Sequence, residues 1–313
     1  MDPAPDISVV LPIFNEEEII HESLAEVVEA LEKARLAFEV VCVDDGSSDR
    51  SGELLERESR ADPRIVPVHL SRNFGKESAL SAGLEAARGR GVLLMDADLQ
   101  HPPSLIPQMV ERWRGGWDVV EAVKEDRGRE SLPYRLMAKT FYLLMGRTAG
   151  ESLRASSDFK LLDRQVVEAL LACPERHRFF RGLVAWVGFR AVRVPFQVQA
   201  RRGGRTKWSR QALVAYSIRN LVAFSSMPLR VVALVGFATV GAAVLLAAET
   251  LYYYFSGRAV SGFTTVILVM LFLCGLILVS LGVIAIYVAS IYDEQKGRPP
   301  FVVRRPRDPA ETR

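Results

Sequence analysis

The stretch GVLLMDADLQHPP, residues 91–103, decides how this chain is read. Gly91 to Met95 is an apolar run of strand length, and Asp96, Asp98 and Gln100 follow it at intervals of two, ahead of His101, Pro102 and Pro103. Desolvating an unpaired carboxylate is costly, so a buried strand that ends in two of them calls for a neutralising partner. Carboxylates at i and i+2 share one cavity where the chain turns. Oxygen ligands from Asp96, Asp98 and Gln100 suit a hard cation, Mg2+ or Mn2+, that keeps waters and also binds phosphates. Taken alone, the carboxylate pair would sooner be read as a solvated turn with Asp98 as the N-cap of a helix beginning in PPSLIPQMV. His101 is expected to be structural.

The same grammar recurs upstream. ISVVLPI (7–13), FEVVCVD (38–44), IVPVHL (65–70) and GVLLMD (91–96) read as strands, with helical spacing over 16–36, 50–60 and 76–88 between them. Strands without polar alternation are buried on both faces, as in a parallel sheet. Strands alternating with helices predict an open α/β sheet with right-handed crossovers. Ligands of such sheets bind beyond the carboxyl ends of the strands. All four of those ends are polar: PIFNEEE (12–18), VDDGSSD (43–49), LSRNFGK (70–76) and DADLQ (96–100). Their convergence on one edge favours the cation reading of Asp98 over the helix cap. There is no GxGxxG and no GxxxxGK[ST], so the phosphate cradles of dinucleotide folds and P-loops are absent from the sequence.

The chain has 313 residues, 25% of them charged, and a formal net charge of +3, a balance that gives no reason to expect nucleic-acid binding. Cys42, Cys173 and Cys274 form no CxxC pair and sit in apolar sequence, as structural thiols of a reducing compartment do. MDPAPDISVV has no basic region ahead of an apolar core, so no cleavable signal peptide is expected. Two later segments are almost entirely apolar. Val231 to Phe255 contains one carboxylate, Glu249, and Phe263 to Ile291 contains no charge. Each exceeds the roughly 20 helical residues that cross a hydrocarbon core, and Tyr252 to Tyr254, Tyr287 and Tyr292 fall where an interfacial belt would lie. The short SGRAVSG link makes them a transmembrane hairpin. Lys and Arg crowd residues 201–230 and the tail after Lys296, whereas the link holds only Arg258. The positive-inside rule then places the N-terminal domain and the tail in the cytoplasm. The expected organisation is a catalytic domain over 1–208, an interfacial helix over 209–230, spans at 231–255 and 263–291, and a basic tail over 292–313. Residues 132–146 also read as an interfacial helix. Gly236, Gly241, Gly275 and Gly282 permit close helix packing, compatible with a homo-oligomer.

VVLPIFNEEE (9–18), VDDGSSD (43–49), LSRNFGKESAL (70–80), MDADLQHPP (95–103), SDFKLLDR (157–164), RFFRGLVAWVGF (178–189) and RRGGRTKWS (201–209) carry a family resemblance. In this order, with two apolar segments after them, they resemble the polyprenyl-phosphate glycosyltransferases, membrane-attached inverting family-2 enzymes of GT-A fold. That group includes dolichol-phosphate mannose synthases and bactoprenol glucosyltransferases. The resemblance implies that Pro12, Asn15 and Glu17 border the nucleotide and that Asp44, with Asp45 and Ser47 close by, contacts base or ribose. It implies that Lys76 joins the nucleotide-sugar site, that Asp96, Asp98 and Gln100 hold Mg2+ or Mn2+ and through it the donor diphosphate, and that Arg202 and Lys207 close over that diphosphate. Arg127, Arg129 and Arg135 would receive the acceptor lipid phosphate. Asp44, Asp45 and Ser47 also fit plain turn chemistry, and the arginines a membrane-surface patch.

The implied reaction moves a sugar from a nucleoside diphosphate, UDP-glucose in the bacterial branch, to the phosphate of a membrane polyprenol with inversion. Phosphate monoesters lose their second proton near pH ~6, so the acceptor needs no strong base. Asp158 is the candidate for a base or acceptor-positioning group, or alternatively serves only to orient an arginine. Two rival readings share the fold: a processive polysaccharide synthase, which would normally show QxxRW and more spans, and a non-catalytic membrane scaffold.

Overall fold

The structure, a computed structural model, describes residues 4–124, 156–176, 178–196, 226–257 and 262–304. These fall into two compact units. The first comprises the described residues up to Phe196 together with 298–304, and the second comprises 226–257 and 262–297.

The first unit is built on a seven-stranded sheet: β1 (Ile7–Ile13), β2 (Phe38–Asp44), β3 (Ile65–His69), β4 (Gly91–Leu94), β5 (Val119–Lys124), β6 (Ser156–Asp163) and β7 (Ala191–Phe196). Their order in space is β3-β2-β1-β4-β6-β5-β7. Among the described strands β6 alone runs antiparallel to its neighbours, and the others are parallel. This is the α/β, mainly parallel sheet expected. The apolar runs of β1 and β2 become buried strands because helices cover both faces: Val9 and Val40 on one side and Val10 and Val41 on the other have no exposed surface. α1 (Ile20–Lys33), α2 (Ser51–Ala61), α3 (Lys76–Ala86) and α4 (Ile106–Arg114) connect the first five strands, and α5 (Arg164–Ala172) and α6 (Phe180–Trp186) lie between β6 and β7. α1 shows why: Ile20, Leu24, Val27 and Leu31, at helical spacing, form the face it buries against the sheet.

Two features of this frame position the site. The strand order reverses between β1 and β4, and in open α/β sheets ligands bind at such a switch point, outside the carboxyl ends of the strands. The β1–β4 ladder stops at Val10 opposite Leu94, while β1 stays paired with β2 as far as Ile13. Pro12 therefore sits where one side of β1 carries no ladder, the setting in which its missing N–H is tolerated.

In the second unit, α7 (Met227–Phe255) and α8 (Phe263–Gln295) contact each other and are long and apolar enough to cross a membrane. α7 begins four residues before the expected span and α8 runs four beyond it. Their large apolar side chains face outward, Phe237 78% and Phe272 69% exposed, a surface that water alone would not favour. The expected interfacial segments over 132–146 and 209–225 lie outside the described residues.

Candidate active site

The site assembles from strand ends. After Leu94 the chain leaves the sheet, and Asp98 accepts the Gln100 N–H at 3.1 Å through Oδ1. Between them Leu99 adopts a left-handed φ of 55° while its side chain is buried, 1% exposed. A left-handed apolar residue costs on the order of 1 kcal/mol, and burying the leucine holds the turn that presents Asp98 and Gln100 together. Asp98 is not a helix cap: the following 3-10 turn starts at Pro103, behind Pro102, and α4 follows it. His101 is buried, stacked on Phe159 at 5.1 Å between ring centroids, with Nδ1 3.4 Å from the Asp96 N–H. Burial depresses its pKa, against the pull of the Asp96 charge. A neutral imidazole suits the structural role expected of it.

Register brings Asp158 to the same place. Leu94 lies opposite Lys160 in the antiparallel β4–β6 pair, so two residues further on Asp96 faces Asp158. Lys76, the first residue of α3, bridges them with Nζ 2.5 Å from Asp96 Oδ1 and 2.7 Å from Asp158 Oδ2. On its other side Asp158 receives Arg181 of α6 in bidentate fashion, Nε to Oδ1 at 2.6 Å and Nη2 to Oδ2 at 2.9 Å. Charges therefore alternate along Asp96, Lys76, Asp158 and Arg181. Burial works against the ionised Asp158, but Lys76 and Arg181 outweigh it and hold the carboxyl well below the usual carboxylate range. Burial likewise disfavours the Lys76 ammonium, and its two carboxylates overcome that and raise its pKa. Behind Asp158, on the same face of β6, the buried Lys160 pairs with buried Glu121 of β5. Burial lowers the Lys160 pKa despite that partner.

The other strand ends are stitched into one rim. Asp44 Oδ1 accepts the Ser47 N–H at 2.9 Å, and Ser47 Oγ accepts the Asn15 N–H at 3.0 Å. Asn15, itself left-handed at φ 53°, accepts the Ser48 N–H at 2.8 Å, and Glu17 Oε2 accepts from Arg50 N at 3.1 Å. Asp44 is buried, yet hydrogen bonds from His69 and Ser47 outweigh the burial and lower its pKa. Asp45 behaves differently: its two oxygens accept the N–H groups of Phe74 at 2.7 Å and Gly75 at 2.9 Å, and burial still raises its pKa. Those amides immediately precede Lys76, so Asp45 sets the start of α3 and with it the bridging ammonium. Gly46 makes this close approach possible. Its φ is +67°, and a Cβ there would lie 2.6 Å from the Asn73 nitrogen.

Of the residues expected at the site, the structure brings Asp96, Lys76 and Asp158 into direct contact, holds Asp98 and Gln100 in the adjoining turn, and gathers Asn15, Glu17, Asp44 and Ser47 in the neighbouring rim, which Pro12 borders from β1. Arg127, Arg129, Arg135, Arg202 and Lys207 lie outside the described residues. Arg181 is the residue that sequence reasoning passed over. It stood inside the quoted RFFRGLVAWVGF piece, but only the fold shows which carboxylate it meets. Among the described residues no group of three or more His, Cys, Asp or Glu forms a ready-made metal cage. Two carboxylates and an amide nonetheless supply the oxygen-only donors that a hard cation takes when phosphate and water complete its shell.

With this geometry in place, comparison with known proteins defines the class. The glycosyl transferase family 2 model matches residues 8–171. The chain belongs to that family and is a glycosyltransferase. It is 38% identical over 303 residues to a Synechocystis sp. glycosyltransferase, sll0501, covering 95% of this chain and 94% of the relative. The prophage bactoprenol glucosyl transferase homolog of Escherichia coli K12 is 34% identical over 304 residues, covering 96% of this chain and 98% of its own. The bactoprenol glucosyl transferase of Shigella phage SfV is 35% identical, covering 95% and 98%. Matches of this length run past the family model and through both apolar helices. Among solved structures, a Mycobacterium tuberculosis glucosyl-3-phosphoglycerate synthase complex overlaps 70% of this chain and 78% of its own, at 23% identity and a TM-score of 0.48. A likeness at that distance assigns no ligand to this chain.

Proposed function

We propose that the protein transfers a hexose, glucose from UDP-glucose as the expected donor, to the phosphate of a membrane polyprenol with inversion at the anomeric carbon. The observation that carries this reading is the Asp96–Lys76–Asp158–Arg181 cluster at the switch point of the sheet, in a chain that matches bactoprenol glucosyl transferases from end to end. In the reaction the bond from the anomeric carbon to the diphosphate oxygen breaks and a bond to an acceptor phosphate oxygen forms, so negative charge builds on the leaving diphosphate. Fixed cations aimed at developing charge are the strongest general device for such a step. Lys76 and Arg181 supply two, locked in place by Asp158.

Asp158 is then a positioning group. A carboxyl held this far down by two cations is a poor proton acceptor, and an acceptor phosphate that is already ionised asks for none. Asp96, Asp98 and Gln100 would hold Mg2+ or Mn2+, which when bound supplies Lewis-acid stabilisation of the leaving diphosphate. Asp44, Ser47, Asn15 and Glu17 form the rim assigned to the nucleoside, and Asp45 works indirectly by fixing the start of α3. Arg202 and Lys207 are assigned to the donor diphosphate, and Arg127, Arg129 and Arg135 to the lipid phosphate. The division into a catalytic unit, two spans and a tail, with catalytic unit and tail on the cytoplasmic side of the bilayer, is supported by the Lys and Arg distribution and by two helices of spanning length.

The test is direct. Protein reconstituted in vesicles with polyprenyl phosphate is given a panel of labelled nucleotide sugars, with and without EDTA. A solvent-extractable monoglycosyl lipid formed only without chelator supports the reading; polymer supports the processive rival, and no product supports a scaffold.

A further inference from the structure

His69, the last residue of β3, has no part in the chemistry described above, yet it is held from three directions beside the nucleoside rim, one of them through Asp44. Its Nδ1 lies 3.0 Å from Asp44 Oδ2, and its Nε2 lies 3.0 Å from Glu56 Oε1 of α2. Its main-chain oxygen accepts the Arg304 N–H at 2.7 Å, and the next residue, Leu70, donates its N–H to the Asp44 oxygen at 2.9 Å. α2 comes close on the open side: a Cβ on Gly52 would lie 3.1 Å from Asp44 Oδ2 and 3.6 Å from His69 Cε1. The ring is therefore wedged between the end of β2 and α2, with a side chain only 23% exposed.

These contacts divide the work on Asp44. Ser47 holds Oδ1 and His69 holds Oδ2, so the carboxylate has one orientation, and through Ser47 that orientation extends to Asn15 and the 46–49 loop. We propose that His69 is a positioning residue for donor binding, which fixes Asp44 and the loop behind it in the geometry that receives the nucleoside. The proposal rests on the reading of Asp44 as a nucleoside contact. A neutral imidazole donates from one nitrogen only, so contact with both carboxylates calls for the doubly protonated ring. Its pKa is raised accordingly, first by the hydrogen bond to Asp44, against burial, with Glu56 adding to it.

Steady-state kinetics on the full-length protein in vesicles test this, with UDP-glucose and polyprenyl phosphate varied separately. Losing a hydrogen bond to a charged group corresponds to roughly tenfold in affinity. His69→Ala is expected to raise the KM for the nucleotide sugar about tenfold, with kcat and the KM for the lipid unchanged. His69→Asn, which keeps a donor near the Nδ1 position, recovers most of the loss, and His69→Gln, which keeps one near Nε2, does not. Asp44→Asn alone and combined with His69→Ala give the same donor KM, because both changes act through one carboxylate. Additive effects overturn the proposal, as does a His69→Ala protein whose melting temperature falls while its donor KM stays put. If Asp44→Asn leaves the donor KM unchanged, the reading of Asp44 fails instead. If His69→Ala does not fold, the contrast between His69→Asn and His69→Gln decides.

Discussion

Asp158 shows how one residue can look like a base and be arranged as an anchor. Lys76 and Arg181 pull its pKa down, so its ionisation contributes stability that is present above the ordinary carboxylate pKa and is lost as pH falls through the depressed folded value. Asp158→Asn should therefore unfold the first unit at a higher pH in an acid titration followed by circular dichroism, and should cut turnover at neutral pH by loosening Lys76 and Arg181. An unchanged acid midpoint would contradict the ion-pair geometry. His69 has the opposite sign: its raised pKa contributes stability that is fully present below pH 6.5, its ordinary value, and is lost as pH rises through the folded value. At Gly46 the constraint is steric. Gly46→Ala forces a side chain into a left-handed conformation against the main chain of Arg72 and Asn73, at an expected cost of about 1–3 kcal/mol. A denaturant melt that shows no loss would contradict that close approach.

At the scale of elements, the least obvious piece follows α8. Val303 bridges Leu70 in antiparallel fashion, and Ser71 donates its N–H to the Val302 oxygen at 2.8 Å. The tail thus adds a short strand segment just beyond the edge strand β3, at the head of the loop that leads to Lys76. Arg304→Pro removes the N–H that His69 accepts and should lower stability by about 1 kcal/mol, read as a melting temperature a few degrees lower. No shift would mean that the pairing contributes nothing. This strand was not legible in the sequence, because three residues carry no alternation to read. β1 and β2 were legible to the residue, since ISVVLPI and FEVVCVD are mainly apolar runs, interrupted only by Ser8 and Glu39, with polar residues after their ends. β4 ends at Leu94, two residues before the expected Asp96, whose carboxylate meets Lys76. Contacts such as Lys76 with Asp158, 82 positions apart, depend on the antiparallel insertion of β6 between β4 and β5. Composition and spacing do not encode that insertion, so the residues of the cluster were visible one by one while their pairing was not.

At the scale of the whole molecule, a family-2 glycosyltransferase unit and two membrane-length helices share one chain. If the Lys and Arg distribution sets the topology, then in a variant with Cys274 replaced by Ala, Ser256→Cys should react with a membrane-impermeant thiol reagent from outside intact cells. Lys296→Cys should react only after the cells are opened; the reverse pattern would invert the assignment. A polyprenol acceptor stays in the bilayer, so this topology would confine the lipid phosphate and the carboxyl edge of the sheet to one face of the membrane. We propose that the edge built by Asp96, Asp98, Lys76, Asp158 and Arg181 moves a sugar onto a lipid phosphate. The most direct measurement compares wild type with Asp98→Ala in vesicles containing undecaprenyl phosphate, UDP-[14C]glucose and Mg2+ or Mn2+. The expected result is labelled monoglycosyl lipid from wild type, abolished by EDTA and absent from a folded Asp98→Ala protein. Substantial lipid labelling by Asp98→Ala at saturating metal, or none by wild type with any nucleotide sugar, would contradict it.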